Sequence, residues 1–303
     1  MDKEQTAIMR LQTASAMSLK AYGLPLVVTT SGGKDSSVCV ELAIRAGIPF
    51  EVMHSHTTAD APETVYFVRS EFKRLENMGI KCTLNKPVYK GAPTSMWSLI
   101  PQKLIPPTRI VRYCCSVLKE QGGAGRFIST GVRWDESTSR KANRGVYEAL
   151  GSSKAQNIIL NNDNDDRRML FENCRLKAKR VVNPIIDWTD DDVWGFIRDA
   201  KIPLNPLYSE GFCRVGCVGC PIAGKKREKE FARWPKYKGM YISAFDRMLE
   251  ERKRRYKMQG SWRMGTTGLD VFNWWMEYDV LPGQMNFDDL GYEMVSPIHL
   301  QEG

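Results

Sequence analysis

No uninterrupted apolar run among the 303 residues is long enough to cross a bilayer as a helix. The amino end, MDKEQTAIMRLQTASAMSLKAYG, lacks the basic start and continuous apolar middle of a secretory signal. It reads instead as an amphipathic helix with Ile8, Leu11 and Leu19 on one side. The expectation is a cytoplasmic protein with no membrane contact. No internal repeat is present, which argues against a repeat architecture. Cysteine is absent after Cys220, and eight cysteines in a reducing compartment argue against a disulfide framework. Cys39, Cys82 and Cys174 stand alone in apolar or mixed surroundings and read as small buried hydrophobes.

A hydrophobic content of 42% with 26% charged residues permits a sizeable core. The length suits one large α/β domain with an appendage. The net charge of +9 is unevenly placed, because Ile222 to Gly260 carries thirteen Lys or Arg against five Asp or Glu. A phosphate-bearing partner is therefore expected at that region, not over the whole surface.

Apolar β-branched runs at 25–30 and 48–54 read as strands, each followed by a helical pattern at Ser36–Ala46 and Pro62–Asn77. IKCTLNKPV, RFISTGVR (126–133) and NIIL (157–160) add further short β-rich runs. In RVVNPIIDWTDDDVWGFIRDA a strand precedes a helix with Thr189 as N-cap and Asp192 three residues later. Strands alternating with helices predict an α/β fold: a parallel twisted sheet with helices on both faces. The polar run 161–168 reads as a solvated loop. After Pro221 the chain turns to Lys, Arg, Glu and aromatics at helical spacing. The expected division is a nucleotide-binding α/β domain with its cysteines over 1–221 and a mainly helical basic region over 222–303.

LVVTTSGGKDSSVCVELA, Leu26 to Ala43, joins a strand, a glycine-rich turn and a helix start. The first amides of a helix have no intrahelical partner and lie at the positive end of its dipole, so this geometry binds anions. Gly32 and Gly33 let the backbone curl around phosphate oxygens. Ser31, Ser36 and Ser37 add hydroxyls, and Lys34 adds charge. Asp35 is out of place in a pure anion cup and suggests a Mg²⁺ or loop-ordering role. The spacing fits neither a Walker A loop nor the dinucleotide fingerprint.

Ser31-Gly32-Gly33-Lys34-Asp35-Ser36 resembles the PP-loop of the N-type ATP pyrophosphatases, and implies their adenine nucleotide alpha-hydrolase-like fold. APET (61–64), STGVRWDESTSR (129–140), NPIIDWTDDDVWGFIRDAKIPLNPLY (183–208) and RVGCVGCP (214–221) are similar to blocks of the phosphoadenosine-phosphosulfate (PAPS) reductase family within that superfamily. The resemblance implies ATP as ligand, with Gly131, Arg133 and Arg140 on its phosphates or on sulfate. Where the family has Asp-Thr-Gly after its second strand, this chain has His56-Thr57-Thr58; Thr57 and Asp60 can still offer a hydroxyl and a carboxylate to a ribose.

Cys217 and Cys220 form a Cys-x-x-Cys knuckle whose two thiolates can reach one metal, and Cys114-Cys115 is the obvious second pair. The residues alone favour a zinc ribbon, since adjacent ligands to one cluster are strained. The resemblance instead implies a [4Fe–4S] cluster, as in the adenylyl-sulfate reductases and DNA phosphorothioation sulfurtransferases of the family. Cys213 matches no ligand position. Arg109, Arg112 and Lys119 flank the pair, as anion ligands or as a solvated basic loop.

The thioredoxin-linked reductases of the family attack sulfur with a thiolate in a carboxy-terminal Glu-Cys-Gly-Leu-His segment. This chain ends FDDLGYEMVSPIHLQEG, with His299 but no thiol. An adenylating sulfurtransferase needs no such tail, and its catalytic set would be Lys34, Asp35, Arg133 and Arg140 with Mg²⁺. The leading expectation is ATP-dependent sulfur transfer, with DNA phosphorothioation as the case; reduction of adenylyl sulfate or PAPS is the alternative, and a nucleotide-sensing subunit without turnover a third. Partners on the first reading are DNA, a cysteine-desulfurase-type sulfur donor and a second copy of the chain in a homodimer. The basic segment, with Trp234, Tyr237, Tyr241 and Tyr256 interleaved, either tracks a phosphate backbone or is a solvated helix packing its aromatics on a core.

Overall fold

A computed structural model describes residues 2–123, 125–150, 158–161, 179–256 and 266–277. Cys174, His299, the run 162–168 and the Tyr256 side chain lie outside the described residues. In chain order come α1 (Lys3–Tyr22), β1 (Leu26–Thr29), α2 (Lys34–Arg45), β2 (Phe50–Ser55), α3 (Pro62–Asn77), β3 (Cys82–Asn85), β4 (Val88–Tyr89), β5 (Ala92–Pro93), α4 (Met96–Lys103), α5 (Tyr113–Leu118), β6 (Phe127–Ser129), α6 (Thr138–Asn143), β7 (Tyr147–Leu150), β8 (Ile158–Leu160), β9 (Lys179–Val182) and α7 (Asp190–Ala200). α8 (Lys226–Arg233), α9 (Pro235–Tyr256) and α10 (Gly268–Met276) follow. The chain divides into two compact units, one of residues 1–99 with 110–218, the other of 100–109 with 219–303.

The first unit is built on a seven-stranded sheet ordered β3-β2-β1-β6-β9-β7-β8. β1, β2, β3, β6 and β9 pair in parallel. β7 runs antiparallel to both β9 and β8, so the sheet is mostly parallel with an antiparallel hairpin at one edge. Leu26 and Val28 of β1 point into the larger core with α1, α2, α3 and α7, while Val27 between them joins Ile128 and Val181 on the opposite face. That face is covered by the segment after α5, where Gly122 and Gly123 lie against Met53 and Ile128. Cover on both faces is what strands apolar on both sides require.

Two local expectations are corrected. α1 buries Ala7, Leu11, Ala14 and Met17, together with Arg10, whose guanidinium forks onto Asp187 at 2.8 and 3.0 Å. Leu19, assigned to the buried side, is 45% exposed. The strand expected over 80–88 is shorter, because β3 ends at Asn85 and Val88 opens a separate two-stranded ribbon.

Among the described residues of the second unit, α8, α9 and α10 close on an aromatic core of Phe231, Tyr241, Phe245, Phe272 and Trp275. Arg227 is buried and donates to the Trp275 carbonyl at 2.8 Å, and Arg252 donates to Leu104 O at 2.7 Å. Trp234 and Tyr241, candidates for stacking on bases, are buried, and Tyr237 is half-buried. Arg254 and Arg255 on α9 both pair with Glu251, as on a solvated helix face.

Candidate nucleotide site at the carboxyl ends of the strands

The chain fills the sheet outward from β1 to β2 and β3, then returns to place β6 on the other side of β1. The carboxyl ends of β1 and β6 therefore form a switch point, where open α/β sheets receive ligands. The loop after β1 occupies it. Gly33 caps α2 with extended backbone, and Gly32 has φ +75. A side chain at Gly32 would also meet Val68 and Thr64 of α3 at 3.0 and 3.1 Å, so glycine is required twice over. From the β6 side, Gly131 approaches so closely that a Cβ would lie 2.8 Å from the Asp35 carbonyl carbon.

Four consecutive loop amides each face a hydroxyl oxygen. Ser31 N–H donates to Ser36 Oγ at 3.2 Å, and Gly32 N–H donates to Thr30 Oγ1 at 3.2 Å. Gly33 N–H donates to Ser31 Oγ at 3.4 Å, and Lys34 N–H to Tyr208 Oη at 2.9 Å. Chemically, these hydroxyls stand where the oxygens of an anion would be taken. Ser37 turns its hydroxyl back to the Gly33 carbonyl at 3.3 Å. Tyr208 is held edge-on to Trp194 with ring centroids 5.5 Å apart, and burial pushes its hydroxyl up to about 12.

Two buried cations converge on the same end of α2. Lys34 Nζ donates to Asp190 Oδ1 at 2.6 Å and to Asp35 at 3.2 Å. Arg133 donates through Nε to Asp35 at 2.6 Å and through a terminal nitrogen to Asp190 at 2.9 Å. Burial would raise the Asp190 carboxyl, but Lys34 and Arg133 hold it below its usual range. Arg140, on α6, is partly exposed and ion-paired with Glu136. Of the four residues expected to be catalytic, the structure brings Lys34, Asp35 and Arg133 into one network and sets Arg140 on a separate pair.

Asp190, Asn205 and Tyr208 were missed as site residues. All three lie in the 183–208 block, whose aspartates read as the first turn of a helix. Asn205 Nδ2 donates to Gly32 O at 3.3 Å and to Thr64 Oγ1 at 3.1 Å, tying that block to the loop and to α3. Thr57 and Asp60, expected to face a ribose, are buried instead. Asp60 accepts the Thr57 N–H at 2.8 Å, and Thr57 Oγ1 accepts from Cys217 Sγ at 3.4 Å.

Cys114 and Cys115 sit on the short helix α5. A hydrogen bond from Cys114, reinforced by Arg112 at 3.4 Å, holds the Cys115 thiol below the ordinary cysteine range. Cys217 is buried at the end of the first unit, while Cys213 is exposed. Cys220 opens the 3-10 turn Pro221–Ala223 of the second unit.

Residues 25–223 match the family model described as the phosphoadenosine phosphosulfate reductase domain. The chain belongs to this family. Adenine-nucleotide binding is the function that membership supports, and family members are enzymes. An uncharacterised protein of Methanocaldococcus jannaschii is 27% identical over 259 residues, covering 83% of this chain and 55% of its own. The chain thus spans about half the length of that family relative. An adenosine 5'-phosphosulfate reductase of Staphylococcus haemolyticus is 24% identical over 231 residues, covering 72% of this chain and 79% of its own. The phosphoadenylyl-sulfate reductase of Candida auris, solved as a phosphate complex, superposes with a TM-score of 0.45 at 17% identity, over 70% of this chain and 88% of that one. No helix among the described residues is long and apolar enough to cross a membrane.

Proposed function

We propose that this chain is an ATP pyrophosphatase that adenylates an acceptor for sulfur transfer, with the DNA phosphodiester as the leading acceptor. The observation that carries the reading is the run of four amides, Ser31 to Lys34, each aimed at a replaceable oxygen beside Lys34 and Arg133. The β- and γ-phosphates of ATP exchange for the four hydroxyls. An acceptor oxygen attacks the α-phosphorus, the α–β bridging bond breaks, and pyrophosphate leaves into the loop. Lys34 and Arg133 neutralise the charge that develops there. Asp35 and Asp190, which pair with Lys34 and Arg133, would hold Mg²⁺, which when bound would add to the charge neutralisation at the phosphates. A sulfur nucleophile then displaces AMP from the activated acceptor.

The thiol donor set suits an iron–sulfur cluster, since Cys114 and Arg112 favour ionisation of Cys115 and Cys217 and Cys220 keep the knuckle spacing. Cys114, Cys115, Cys217 and Cys220 would hold a [4Fe–4S] cluster, which when bound supplies electron transfer or a polarised sulfur. The depressed Cys115 thiol also favours a second reading, reduction of adenylyl sulfate: its thiolate attacks the sulfate sulfur, the sulfur–oxygen bond to AMP breaks, and a protein S-sulfonate remains. Parallel assays of anaerobically purified protein test both. Pyrophosphate from Mg²⁺-ATP, stimulated by DNA and lost in Lys34→Ala, supports the first reading. Sulfite from adenylyl sulfate with thioredoxin and reductant, lost in Cys115→Ser, replaces it with the second.

A further inference from the structure

We propose that His54, His56 and Asp60 form a binding site for one divalent transition-metal ion, separate from the cysteines and from the Mg²⁺ of a nucleotide. Among the described residues these are the three metal-ligating side chains whose donor atoms all lie within 4.8 Å of one another. β2 and its continuation build the group: residues 54 and 56 are two apart, so an extended chain turns both imidazoles to one side, and the following turn brings Asp60 back to them. His56 Nδ1 lies 3.5 Å from Asp60 Oδ2. A tetrahedral ion with zinc-like bond lengths spaces its donors about 3.4 Å apart, so this pair already has the required bite.

The surroundings orient the ligands as metal sites do. His54 is buried with Nδ1 2.8 Å from the Thr30 carbonyl, and a carbonyl only accepts. Nδ1 therefore carries the proton and Nε2 the lone pair, the arrangement in which a metal-bound histidine gives its other nitrogen to a backbone oxygen. Asp60 is fixed by the Thr57 N–H at 2.8 Å and by a backbone bridge to Cys217. His56 pairs with the Asp60 carboxylate, and a cation taking the place of the proton between them would have the His54 nitrogen as its third donor. Two nitrogens and one carboxylate oxygen suit Zn²⁺ or Fe²⁺ and leave a position open. The His56 side chain is 31% exposed and provides the entry path. An ion here would pin the end of β2 to Thr30, the residue before the phosphate loop.

Co²⁺ titration of the chelator-treated full chain tests the site. The expected result is one tightly bound ion showing visible ligand-field bands without thiolate charge transfer, in addition to any ion taken by the cysteines, whose charge-transfer bands Cys217→Ser weakens. His56→Ala should lower its affinity by at least about 100-fold, more than the loss of a supporting contact alone, while Cys217→Ser keeps it. His56→Ala is the milder variant because its side chain is the exposed member; circular dichroism checks its fold. If it fails to fold, X-ray absorption of the Co²⁺-loaded Cys217→Ser chain decides: nitrogen and oxygen neighbours alone support the site, and sulfur neighbours overturn it. No bound ion, an affinity unchanged in His56→Ala, or an affinity lost only in Cys217→Ser also overturns it.

Discussion

The loop at 31–36 and the basic segment at 222–260 both advertise phosphate in the sequence, by different means. The loop relies on backbone: four amides, two glycines and a helix start, with its two nearest cations buried and counter-charged by Asp35 and Asp190. The basic segment relies on the number of its charges, and its own unit consumes several of them. Arg227 and Arg252 bind carbonyls, Arg254 and Arg255 share Glu251, and the interleaved Trp234 and Tyr241 are core. Charge density is thus a weaker sign of a site than an ordered row of backbone donors at a helix start. A solvated helix needs lysine and arginine for its own surface, whereas the loop sets four consecutive amides at a helix start, two of them held in local Ser/Thr turns and two by the more distant Ser36 and Tyr208.

The largest effect that sharpens this contrast is structural. Tyr241→Ala should destabilise the second unit by about 3–5 kcal/mol, the usual cost of truncating a buried aromatic, read as a shift in its chemical denaturation midpoint. Tyr241 would belong to a binding face after all if the midpoint held and nucleic-acid affinity fell. Next comes Lys34→Ala, expected to slow pyrophosphate release by about 10²–10³-fold, as for loss of one preorganised charge-stabilising donor, with a fall in melting temperature from the ion pairs it leaves broken. Gly131→Ala forces a Cβ against the Asp35 backbone and should cost about 1–3 kcal/mol by overpacking, together with a rise in KM for ATP. A neutral outcome would mean that β6 and α2 are free to separate.

Asp190→Asn tests the ion network by its pH dependence. The folded carboxyl titrates below its unfolded value of about 3.9, so its stabilisation is complete above that pH and is lost as pH falls through the lower folded value. Acid unfolding of the natural chain should be steeper below about pH 4 than that of the variant; identical acid limbs would remove Asp190 from the network. The smallest effect belongs to the basic face. Arg254→Ala with Arg255→Ala should leave the melting temperature unchanged. If DNA binds there, the slope of log affinity against log salt falls by about 0.9 for each lost contact, and an unchanged slope assigns the face to solvent.

The strand–loop–helix unit was legible because its determinants are consecutive: β-branched residues, two glycines and a helix start lie between Leu26 and Arg45. The mostly parallel sheet was legible from alternating periodicity. The antiparallel edge was not, since the direction of a short strand depends on which neighbour it meets. The site itself was half legible. Lys34, Asp35 and Arg133 stood in recognisable blocks, but Asp190 meets Lys34 across 156 positions and Tyr208 meets its amide across 174. Nor did the sequence show that Thr57 and Asp60 turn inward, or that His54 and His56 converge with Asp60.

What the sequence determined by itself is therefore local: where the helices begin, which turn can bind an anion, and which thiols are spaced to share a metal. Only the tertiary structure decided which carboxylate counters which cation, which hydroxyl meets each loop amide, and which aromatics are core. The physical reason is reach. Capping, glycine conformations and periodicity act within a few residues. Pairing of buried charges and hydroxyls instead depends on how strands distant in the chain are ordered in the sheet, because desolvated groups must find partners wherever the fold brings them together.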